Sequence, residues 1–365
     1  MIVSAHKQGA LPNPRFWAGK RVLLTGHTGF KGSWAALWLA EMGAHVQGLS
    51  LAPETTPSLF DLAGIAQSVT HHVVDIRERA AVAWVVAEAR PEIILHLAAQ
   101  PLVRRSYREP TLTFDTNVMG TAHLLDAAFA NDGLKAILVI TSDKVYANDE
   151  HGRAFQEGDA LGGHDPYSAS KAAVEMLVHS AQSRAAARGV ALGTVRGGNV
   201  IGGGDYSEDR IVPDIVRAAE RREPLTLRNP GATRPWQHVL DCLAGYFVLA
   251  EALASEPQTP RALNVGPDPS APITVAGLAE VISPALGLKE AWRLAPDADK
   301  QPREMGSLAL DPTLARTRLE IRDRLPGRAA LEWTAEWYAG VMAGQSARAL
   351  CLEQIAGYVG QSRQA

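Results

Sequence analysis

A short apolar strand that runs into three regularly spaced glycines constrains this chain more than any other feature. Residues 21–25 are Arg-Val-Leu-Leu-Thr, and Gly26, Gly29 and Gly32 follow with the spacing G-x-x-G-x-x-G, ahead of an apolar helical segment. Glycine permits the positive φ of a tight turn, and the N-terminus of a helix offers free N–H groups to an anion. The segment therefore predicts a strand–turn–helix unit that holds a pyrophosphate, although a tight turn without a ligand is the alternative.

The alternation of strands and helices continues through the N-terminal half. Further strands are predicted at residues 45–51, 69–74, 92–98, 135–142 and 191–196, and helices at 80–89, 117–130 and 167–188. Such alternation predicts an α/β fold of the Rossmann type, a doubly wound parallel sheet covered on both faces. Ligands of these folds bind beyond the C-terminal ends of the strands. Five residues fall at that edge: Asp75, Ala98, Ala99, Ser142 and Arg196.

The composition changes after residue 201, where glycine, proline and arginine cluster in loops of the kind that carry binding sites. Later segments predict one more strand at 262–266, returning to the sheet, and helices at 241–254, 273–286 and 331–345. We therefore expect a smaller, non-contiguous, C-terminal substrate-binding domain. The predicted division is a dinucleotide-binding domain over 15–201 with about 238–266, a substrate-binding domain over 202–237 and 267–360, and a loose N-terminal tail over 1–14.

Composition excludes several classes of protein. The 365 residues are 46% hydrophobic, enough for one large or two modest cores, and the net charge of −3 gives no electrostatic reason for nucleic-acid binding. No apolar run is long enough for a membrane span, and the first twenty residues lack the apolar region of a signal peptide. Cys242 and Cys351 cannot form a disulfide framework, which favours a reducing compartment, the cytoplasm.

Two clusters could carry chemistry. Tyr167 and Lys171 are four residues apart on a predicted helix and share a face, so the ammonium is expected to lower the pKa of the phenol. Such a tyrosine could accept a proton from a sugar hydroxyl while hydride leaves the same carbon. Ser142, Asp143 and Lys144 place a hydroxyl, a carboxylate and an amine at the end of a strand, more than a plain reductase needs. An incidental Y-x-x-x-K and a solvated polar loop are the alternatives.

These motifs together resemble a known family. The glycine turn, His96-Leu-Ala-Ala99, Asn117-Val-Met-Gly-Thr121 and Tyr167-x-x-x-Lys171 are similar to the extended short-chain dehydrogenase/reductase family of nucleotide-sugar enzymes, over roughly residues 17–350. Four longer motifs resemble its 4,6-dehydratases of CDP-glucose: Gly26-His-Thr-Gly-Phe-Lys-Gly-Ser-Trp34, Ala99-Gln-Pro-Leu-Val-Arg104, Thr141-Ser-Asp-Lys144 and Arg234-Pro-Trp-Gln-His-Val-Leu-Asp241.

The resemblance implies a hydro-lyase that recycles tightly held NAD and requires no metal ion. Tyr167 would deprotonate the C4 hydroxyl of the sugar and Ser142 would hydrogen-bond the same oxygen, while Lys171 would hold the nicotinamide ribose. Asp143 would protonate the departing C6 hydroxyl. Lys144 occupies the position where the related dTDP-glucose enzymes carry glutamate. It is either the base that removes the C5 proton, which requires its neutral form, or a residue that only positions other groups.

The resemblance also implies an NAD site. Ser50 stands where a carboxylate usually binds the adenosine ribose, and Lys31 and His27 could even accept a 2′-phosphate, but the family pattern favours NAD, with Asp75 and Ile76 beside the adenine. The candidate cofactor residues are Gly26, Thr28, Gly29, Phe30, Lys31, Gly32, Ser50, Asp75, Ile76, Leu97, Ala98, Ala99, Thr141, Tyr167 and Lys171.

Arginine suits the diphosphate of a nucleotide sugar, because its planar guanidinium can bond two oxygens. The candidate substrate residues are Gln100, Arg104, Arg196, Asn199, Arg210, Arg234 and His238. Arg234 is favoured by its motif. Each arginine could equally lie on the surface, and His238 could be a packed or capping histidine.

Three alternative functions and one assembly remain as hypotheses. A nucleotide-sugar 4-epimerase would need only Ser142, Tyr167 and Lys171, and a dehydratase could act on another nucleotide glucose. A nucleotide-sensing regulator would not need the catalytic set at all. The helices at 117–130 and 167–188 are apolar on more than one face, which predicts a homodimer or homotetramer formed through them.

Overall fold

A computed structural model of the chain describes residues 9–148, 152–270, 272–295 and 308–360. Its centre is a parallel sheet of seven strands in the order β7-β6-β5-β4-β1-β2-β3. The strands are β1 (Arg21–Thr25), β2 (His45–Ser50), β3 (Thr70–Val73), β4 (Ile93–His96), β5 (Ala136–Ile140), β6 (Ala191–Gly197) and β7 (Ala262–Val265). The predicted Rossmann-type sheet, including the late strand that returns to it, is confirmed.

Helices cover both faces of the sheet. In chain order they are α1 (Pro14–Trp17), α2 (Phe30–Glu41), α3 (Leu59–Leu62), α4 (Arg79–Ala89), α5 (Val103–Arg108), α6 (Pro110–Phe114), α7 (Gly120–Ala128), α8 (Pro166–Ala187), α9 (Ile211–Arg221), α10 (Val239–Ser255), α11 (Val275–Ala285), α12 (Thr313–Arg318), α13 (Arg328–Met342) and α14 (Ala347–Gly360). A π-helical turn, Asp115–Met119, precedes α7, and a 3₁₀ turn, Asp143–Val145, follows β5. The sequence-based prediction missed α9 and α14.

Alternating strand residues supply two cores. Val22 and Leu24 of β1 point into the first core with α2 and α10, whereas Leu23 between them points into the second core with α4, α7 and α8. This period of two is what a sheet buried on both faces requires. The tryptophans of α2, Trp34 and Trp38, are buried in the first core, so the helix that follows the glycine turn is fixed firmly in place.

The C-terminal region packs against the first core. Trp337 of α13 and Tyr358 of α14 belong to that core, and α14 contacts α2. Three short strand pairs connect this region: Val200–Ile201 with Gln237–His238, Thr226–Leu227 with Arg293–Leu294, and Thr233–Arg234 with Ile273–Thr274. The proposed division into a dinucleotide-binding and a substrate-binding domain stays a prediction.

The predicted N-terminal tail is packed where the structure describes it. Residues 1–8 of the tail lie outside the described residues. From Gly9 onward the segment contacts the body: the N–H of Ala10 donates to the carbonyl oxygen of Glu320 at 2.9 Å, and the N–H of Asn13 donates to Glu251 at 2.8 Å. The expectation of a loose segment is therefore wrong for residues 9–14. None of the described helices combines the length and apolar character needed to cross a membrane.

Candidate active site

The glycine turn after β1 has room only for glycine at two positions. Gly26 has φ +75°, and a Cβ there would lie 2.8 Å from the backbone nitrogen of Ala98. A Cβ on Gly32 would overlap the carbonyl oxygen of Gly26. Gly29 is exposed at the N-cap of α2, where no side chain accepts from the first-turn N–H groups. These free donors and the helix dipole form a cradle that fits a pyrophosphate.

The end of β2 carries hydroxyls instead of a carboxylate. Ser50 Oγ lies 2.7 Å from Thr28 Oγ1, which also donates to the carbonyl of Leu51 at 2.9 Å. His27 Nε2 lies 2.6 Å from His71 Nδ1, and burial and the charge of His71 lower the pKa of His27 to about 3. The neutral form of His27 is favoured, which gives no support to the hypothesis that its charge helps to accept a 2′-phosphate.

Of the two residues expected beside the adenine, Asp75 is half-buried and Ile76 is buried. A hydrogen bond from Arg77 lowers the pKa of Asp75, and the two charged groups are 2.6 Å apart. Ile76 is buried in the second core and fills the space over Gly120, where a Cβ would lie 2.6 Å from its Cγ2. The side chain of Ile76 therefore packs inside the protein, and only its backbone remains a candidate for contact with adenine.

A buried polar chain supports the end of β4. His96 Nδ1 lies 2.7 Å from Thr25 Oγ1, and its Nε2 lies 2.9 Å from Thr121 Oγ1. Burial, with a smaller contribution from the charge of Lys171, lowers the pKa of His96 to about 3, so the ring is neutral. Thr25 Oγ1 also accepts from the N–H of Ala98 at 3.0 Å, which fixes the backbone that faces the glycine turn.

Asn117 extends this support to α8, the helix that carries Tyr167. Its Oδ1 accepts from the N–H of Gln100 at 2.8 Å, and its Nδ2 donates to Ser170 Oγ at 2.8 Å. The amide of Gln100 itself is bonded to Thr113 and to the backbone of Leu102. These contacts give Gln100 a structural role instead of the predicted contact with substrate. Asn117 was missed as a site residue, although its motif had been noted.

The residues after β5 surround one carboxylate. Asp143 Oδ1 accepts from Ser142 Oγ at 2.9 Å and from Lys144 Nζ at 3.1 Å. The other oxygen, Asp143 Oδ2, is buried and has no hydrogen-bond partner among the described residues. An unsatisfied buried carboxylate oxygen is unfavourable unless a further group meets it. The predicted Ser-Asp-Lys set is thus brought together around a group that can exchange a proton.

Tyr167 and Lys171 lie in the first turns of α8, both buried. Burial raises the pKa of Tyr167, partly offset by a hydrogen bond with Ser142 and by the charge of Lys144. The ammonium of Lys171 instead donates to the carbonyl of Ile140 at 3.1 Å, and burial together with the charge of Lys31 lowers its pKa to about 7. The prediction that Lys171 lowers the pKa of Tyr167 is therefore wrong in this structure.

A buried ion pair occupies the end of β6. Arg196 donates to both oxygens of Glu175, at 3.0 and 2.8 Å, and also to the hydroxyl of Tyr146 and the carbonyl of Glu157. Its donors are engaged, so the prediction that Arg196 holds a diphosphate is not supported. Thr141 Oγ1 donates to Glu175 at 2.5 Å, which likewise gives that hydroxyl a structural role instead of a contact with cofactor.

The remaining arginine candidates are partly exposed. Arg104 pairs with Asp209 at 3.1 Å, and Arg210 lies 3.6 Å from Asp205. Arg234 donates to the carbonyl of the preceding Thr233 at 2.8 Å. Exposed ion pairs of this kind are weak and can be exchanged for a phosphate. These three side chains therefore stay candidates for the diphosphate.

Two other substrate candidates have buried polar atoms. Asn199 Oδ1 is a buried oxygen without a hydrogen-bond partner among the described residues, which leaves it open to a ligand. His238 is the N-cap of α10, where its Nδ1 accepts from the N–H of Leu240 at 3.3 Å. Burial lowers the pKa of His238 to about 3, so the ring is neutral. The capping alternative is confirmed for His238.

Comparison with known proteins is consistent with this site. The family model of the NAD dependent epimerase/dehydratase family matches residues 22–266. The CDP-glucose 4,6-dehydratase of Salmonella typhimurium (strain LT2) is 40% identical over 351 residues, which cover 94% of this chain and 97% of that protein. A dTDP-glucose 4,6-dehydratase of Xanthomonas campestris pv. campestris is 31% identical and covers 64% of this chain and 69% of its own length.

Solved structures share the architecture. A UDP-glucose 4-epimerase of Thermus thermophilus, in complex with NAD, superimposes with a TM-score of 0.73 at 25% identity and covers 87% of this chain and 99% of its own. An epimerase of Methanothermobacter thermautotrophicus superimposes with a TM-score of 0.76 at 23% identity and covers 90% of this chain and 95% of its own. At this identity the second likeness shows the fold alone.

Proposed function

Because the chain belongs to the NAD dependent epimerase/dehydratase family, we propose that it dehydrates CDP-glucose to CDP-4-dehydro-6-deoxyglucose. The observation that carries this proposal is Asp143 Oδ2, which is buried beside Ser142 and Tyr167. This oxygen has no hydrogen-bond partner among the described residues. An epimerase moves only a hydride and a hydroxyl proton at C4, and it needs no further acid. Elimination of water does need one, because a hydroxyl group leaves readily only when it is protonated.

The cofactor of this family is NAD, and the residues present fit it. The cradle formed by Gly26, Gly29 and Gly32 would hold the pyrophosphate, while Lys171 of α8, whose ammonium lies at the end of β5, would hold the nicotinamide ribose. Ser50 and Thr28 would face the adenosine ribose with hydroxyls. When bound, NAD supplies an acceptor that takes hydride from C4 of the sugar and returns it to C6.

The first half of the reaction belongs to Tyr167 and Ser142. As the C4–H bond gives up its electron pair as hydride, Tyr167 takes the proton of the C4 hydroxyl and the carbon becomes a ketone. Ser142, which hydrogen-bonds with Tyr167, would steady the same oxygen. Burial raises the pKa of Tyr167, so its own proton has to pass to solvent before it can accept another, and the hydrogen bond with Ser142 and the charge of Lys144 favour that loss.

The second half belongs to Asp143. The ketone at C4 acidifies the C5 proton. A base other than Lys144 takes that proton while the C6 hydroxyl is expelled, and Asp143 protonates the hydroxyl so that it leaves as water. Hydride then reaches C6 and a proton returns to C5, so carbon oxidation at C4 balances reduction at C6. Lys144 donates to Asp143, and an ammonium held in this way has no lone pair to accept the C5 proton. We therefore assign Lys144 a positioning role.

The substrate residues proposed are Arg104, Asn199, Arg210 and Arg234. The three arginines carry the charge that a diphosphate requires, and the buried oxygen of Asn199 lacks a partner among the described residues. The choice of cytosine rests on the relative that is 40% identical over most of both chains.

The experiment that tests this function compares four substrates. The protein is incubated with NAD and with CDP-, UDP-, dTDP- or GDP-glucose, and the products are analysed for a 4-keto-6-deoxy sugar, which absorbs in alkali. We expect this product from CDP-glucose in preference to the others. Recovery of a C4 epimer that keeps its C6 hydroxyl would show that the protein is an epimerase instead. Absence of any product from all four substrates would favour a nucleotide-sensing regulator.

We also infer a homodimer formed through α5–α8. Leu125 and Val178, part of the expected surplus apolar surface, are in fact buried in the second core. Four apolar side chains on α5, α6, the π-helical turn and α8, elements that contact one another, stay exposed, between 39% and 64%: Tyr107, Phe114, Met119 and Met176. A patch of this kind marks an interface with another protein, and a two-fold contact of the same patch would bury it on both copies.

Two buried free cysteines support a reducing compartment. Cys242 and Cys351 are free and buried, in agreement with a protein that folds without disulfides. We propose the cytoplasm, where nucleotide sugars and NAD are available. Fractionation of cells with an antibody against the protein would test this location.

A further inference from the structure

One lysine of the glycine turn points away from the phosphate cradle. Lys31 is the second residue of α2, yet its Nζ lies 5.8 Å from the centroid of the Tyr246 ring of α10. Tyr246 is buried, and its hydroxyl reaches the end of β6, where a Cβ on Gly197 would lie only 2.7 Å from it. The side chain of Lys31 therefore runs underneath the site, towards the C-terminal ends of the central strands.

The charged neighbours of Lys31 are the groups of the active site. Lys171, which bonds the last residue of the adjacent strand β5, is close enough for the two ammonium groups to repel each other. Burial lowers the pKa of Lys31 and Arg210 lowers it further, whereas Cys242, Asp143 and Asp205 favour its charged form. The cation is thus placed among the catalytic groups and is only partly accessible to solvent.

We propose that Lys31 raises the reduction potential of the bound nicotinamide. The inference rests on the proposed function, in which hydride is exchanged beside Tyr167 and Lys171. Oxidised nicotinamide carries a positive charge that is neutralised when it accepts hydride. A fixed cation nearby disfavours the charged form and leaves the neutral form unaffected, and such effects are strong where water is excluded. Lys31 thereby favours oxidation of C4, the step that starts the cycle.

Binding of the pyrophosphate is the competing role for Lys31, since the residue begins the helix that forms the cradle. The two roles differ in a measurable way. Both redox forms of the cofactor carry the same pyrophosphate, so a phosphate ligand stabilises them equally. A cation near the nicotinamide weakens the binding of NAD⁺ relative to that of NADH.

The test measures dissociation constants of NAD⁺ and NADH by calorimetry, without any nucleotide sugar. Wild type is compared with Lys31→Met, Lys31→Gln and Lys31→Arg, and with Lys135→Met as the control for loss of a lysine at an exposed site. Removing the charge should lower the ratio Kd(NAD⁺)/Kd(NADH) about tenfold, the size expected for one charge at an effective dielectric constant of about 20. This corresponds to about 30 mV for a two-electron couple.

The ratio should stay near the wild-type value in Lys31→Arg and Lys135→Met. Equal weakening of both ligands in Lys31→Met and Lys31→Gln would overturn the inference and assign Lys31 to the pyrophosphate. Thermal unfolding of each variant is measured in parallel, to establish that each variant is folded. Failure of the proposed function would be seen separately, as the absence of a 4-keto product from the wild-type protein.

Discussion

Lys144 Nζ lies 3.1 Å from Asp143 Oδ1, and this ion pair holds a carboxylate whose second oxygen is buried without a partner among the described residues. The pair lies after β5, on a 3₁₀ turn whose N-cap is Ser142. In the proposed mechanism, one short segment therefore carries the hydroxyl that would assist the first half-reaction and the acid that would serve the second. The arrangement separates the two half-reactions between neighbouring side chains, which single substitutions can distinguish.

Replacing Asp143 by asparagine should block the second half-reaction. Asp143→Asn keeps the shape of the side chain but removes the acid, so C4 can still be oxidised while water leaves slowly. We expect turnover to fall by two to four orders of magnitude, roughly the contribution of general acid catalysis, with a build-up of the absorbance of reduced nicotinamide on the enzyme. Asp132→Asn, at an exposed site, is the control. A slow variant without that absorbance would place Asp143 in the first step.

Replacing Tyr167 by phenylalanine should block the first half-reaction. Tyr167→Phe retains the ring in its buried position but has no hydroxyl to accept the C4 proton. Turnover should fall by roughly two to four orders of magnitude, without any reduced nicotinamide, while calorimetry still detects NAD binding. Tyr107→Phe, an exposed tyrosine, should be unaffected. Activity near that of wild type in the Tyr167 variant would remove this residue from the mechanism.

Three buried histidines should make the fold sensitive to acid. Burial lowers the pKa of His27, His96 and His238 to about 3, from an ordinary value of 6.5. The unfolded chain binds these protons below about pH 6.5 and the folded chain does not. Stability is therefore complete above that pH and is lost as the pH falls towards 3, by about 1.4 kcal/mol per pH unit for each histidine. Denaturant titrations from pH 4 to 8 should show a shallower pH dependence for His96→Gln, and an unchanged slope would contradict the neutral assignment.

A charge in the exposed apolar patch should dissociate the proposed dimer. Met176 is 58% exposed on α8, whereas Leu177 beside it is packed against the second core. Met176→Lys therefore tests the interface without disturbing the packing of the second core. Light scattering at micromolar concentration should show a dimer for wild type and a monomer for the variant, with Trp84→Lys on α4 as the exposed control. A monomeric wild type, or a variant that stays dimeric, would refute the interface.

Much of the fold could be predicted because its signals are local. Strand β1 and the glycines after it are contiguous, and the spacing of Tyr167 and Lys171 defines one helix face. Helix α9 was missed because Pro213 suggested a loop. It is the third residue of that helix, where the backbone N–H of an ordinary residue would have no partner within the helix.

The partners of individual side chains could not be predicted in the same way. Arg196 and Glu175 are 21 residues apart, on β6 and α8, and no local pattern indicates that they form a buried pair. The direction of Lys31 depends on Tyr246 of α10, which is far along the chain. An arginine or lysine at the C-terminal edge of the sheet therefore predicts only the region in which its side chain lies. Whether it meets a ligand or another residue depends on packing that the sequence does not encode locally.

The central claim is that hydride removed from C4 returns to C6 of the same sugar. The most direct measurement uses CDP-glucose carrying deuterium at C4 and locates the label in the product by NMR. The account predicts deuterium at C6 of the 4-keto-6-deoxy sugar, with no exchange into solvent. Deuterium that is recovered at C4, or lost to water, would contradict it.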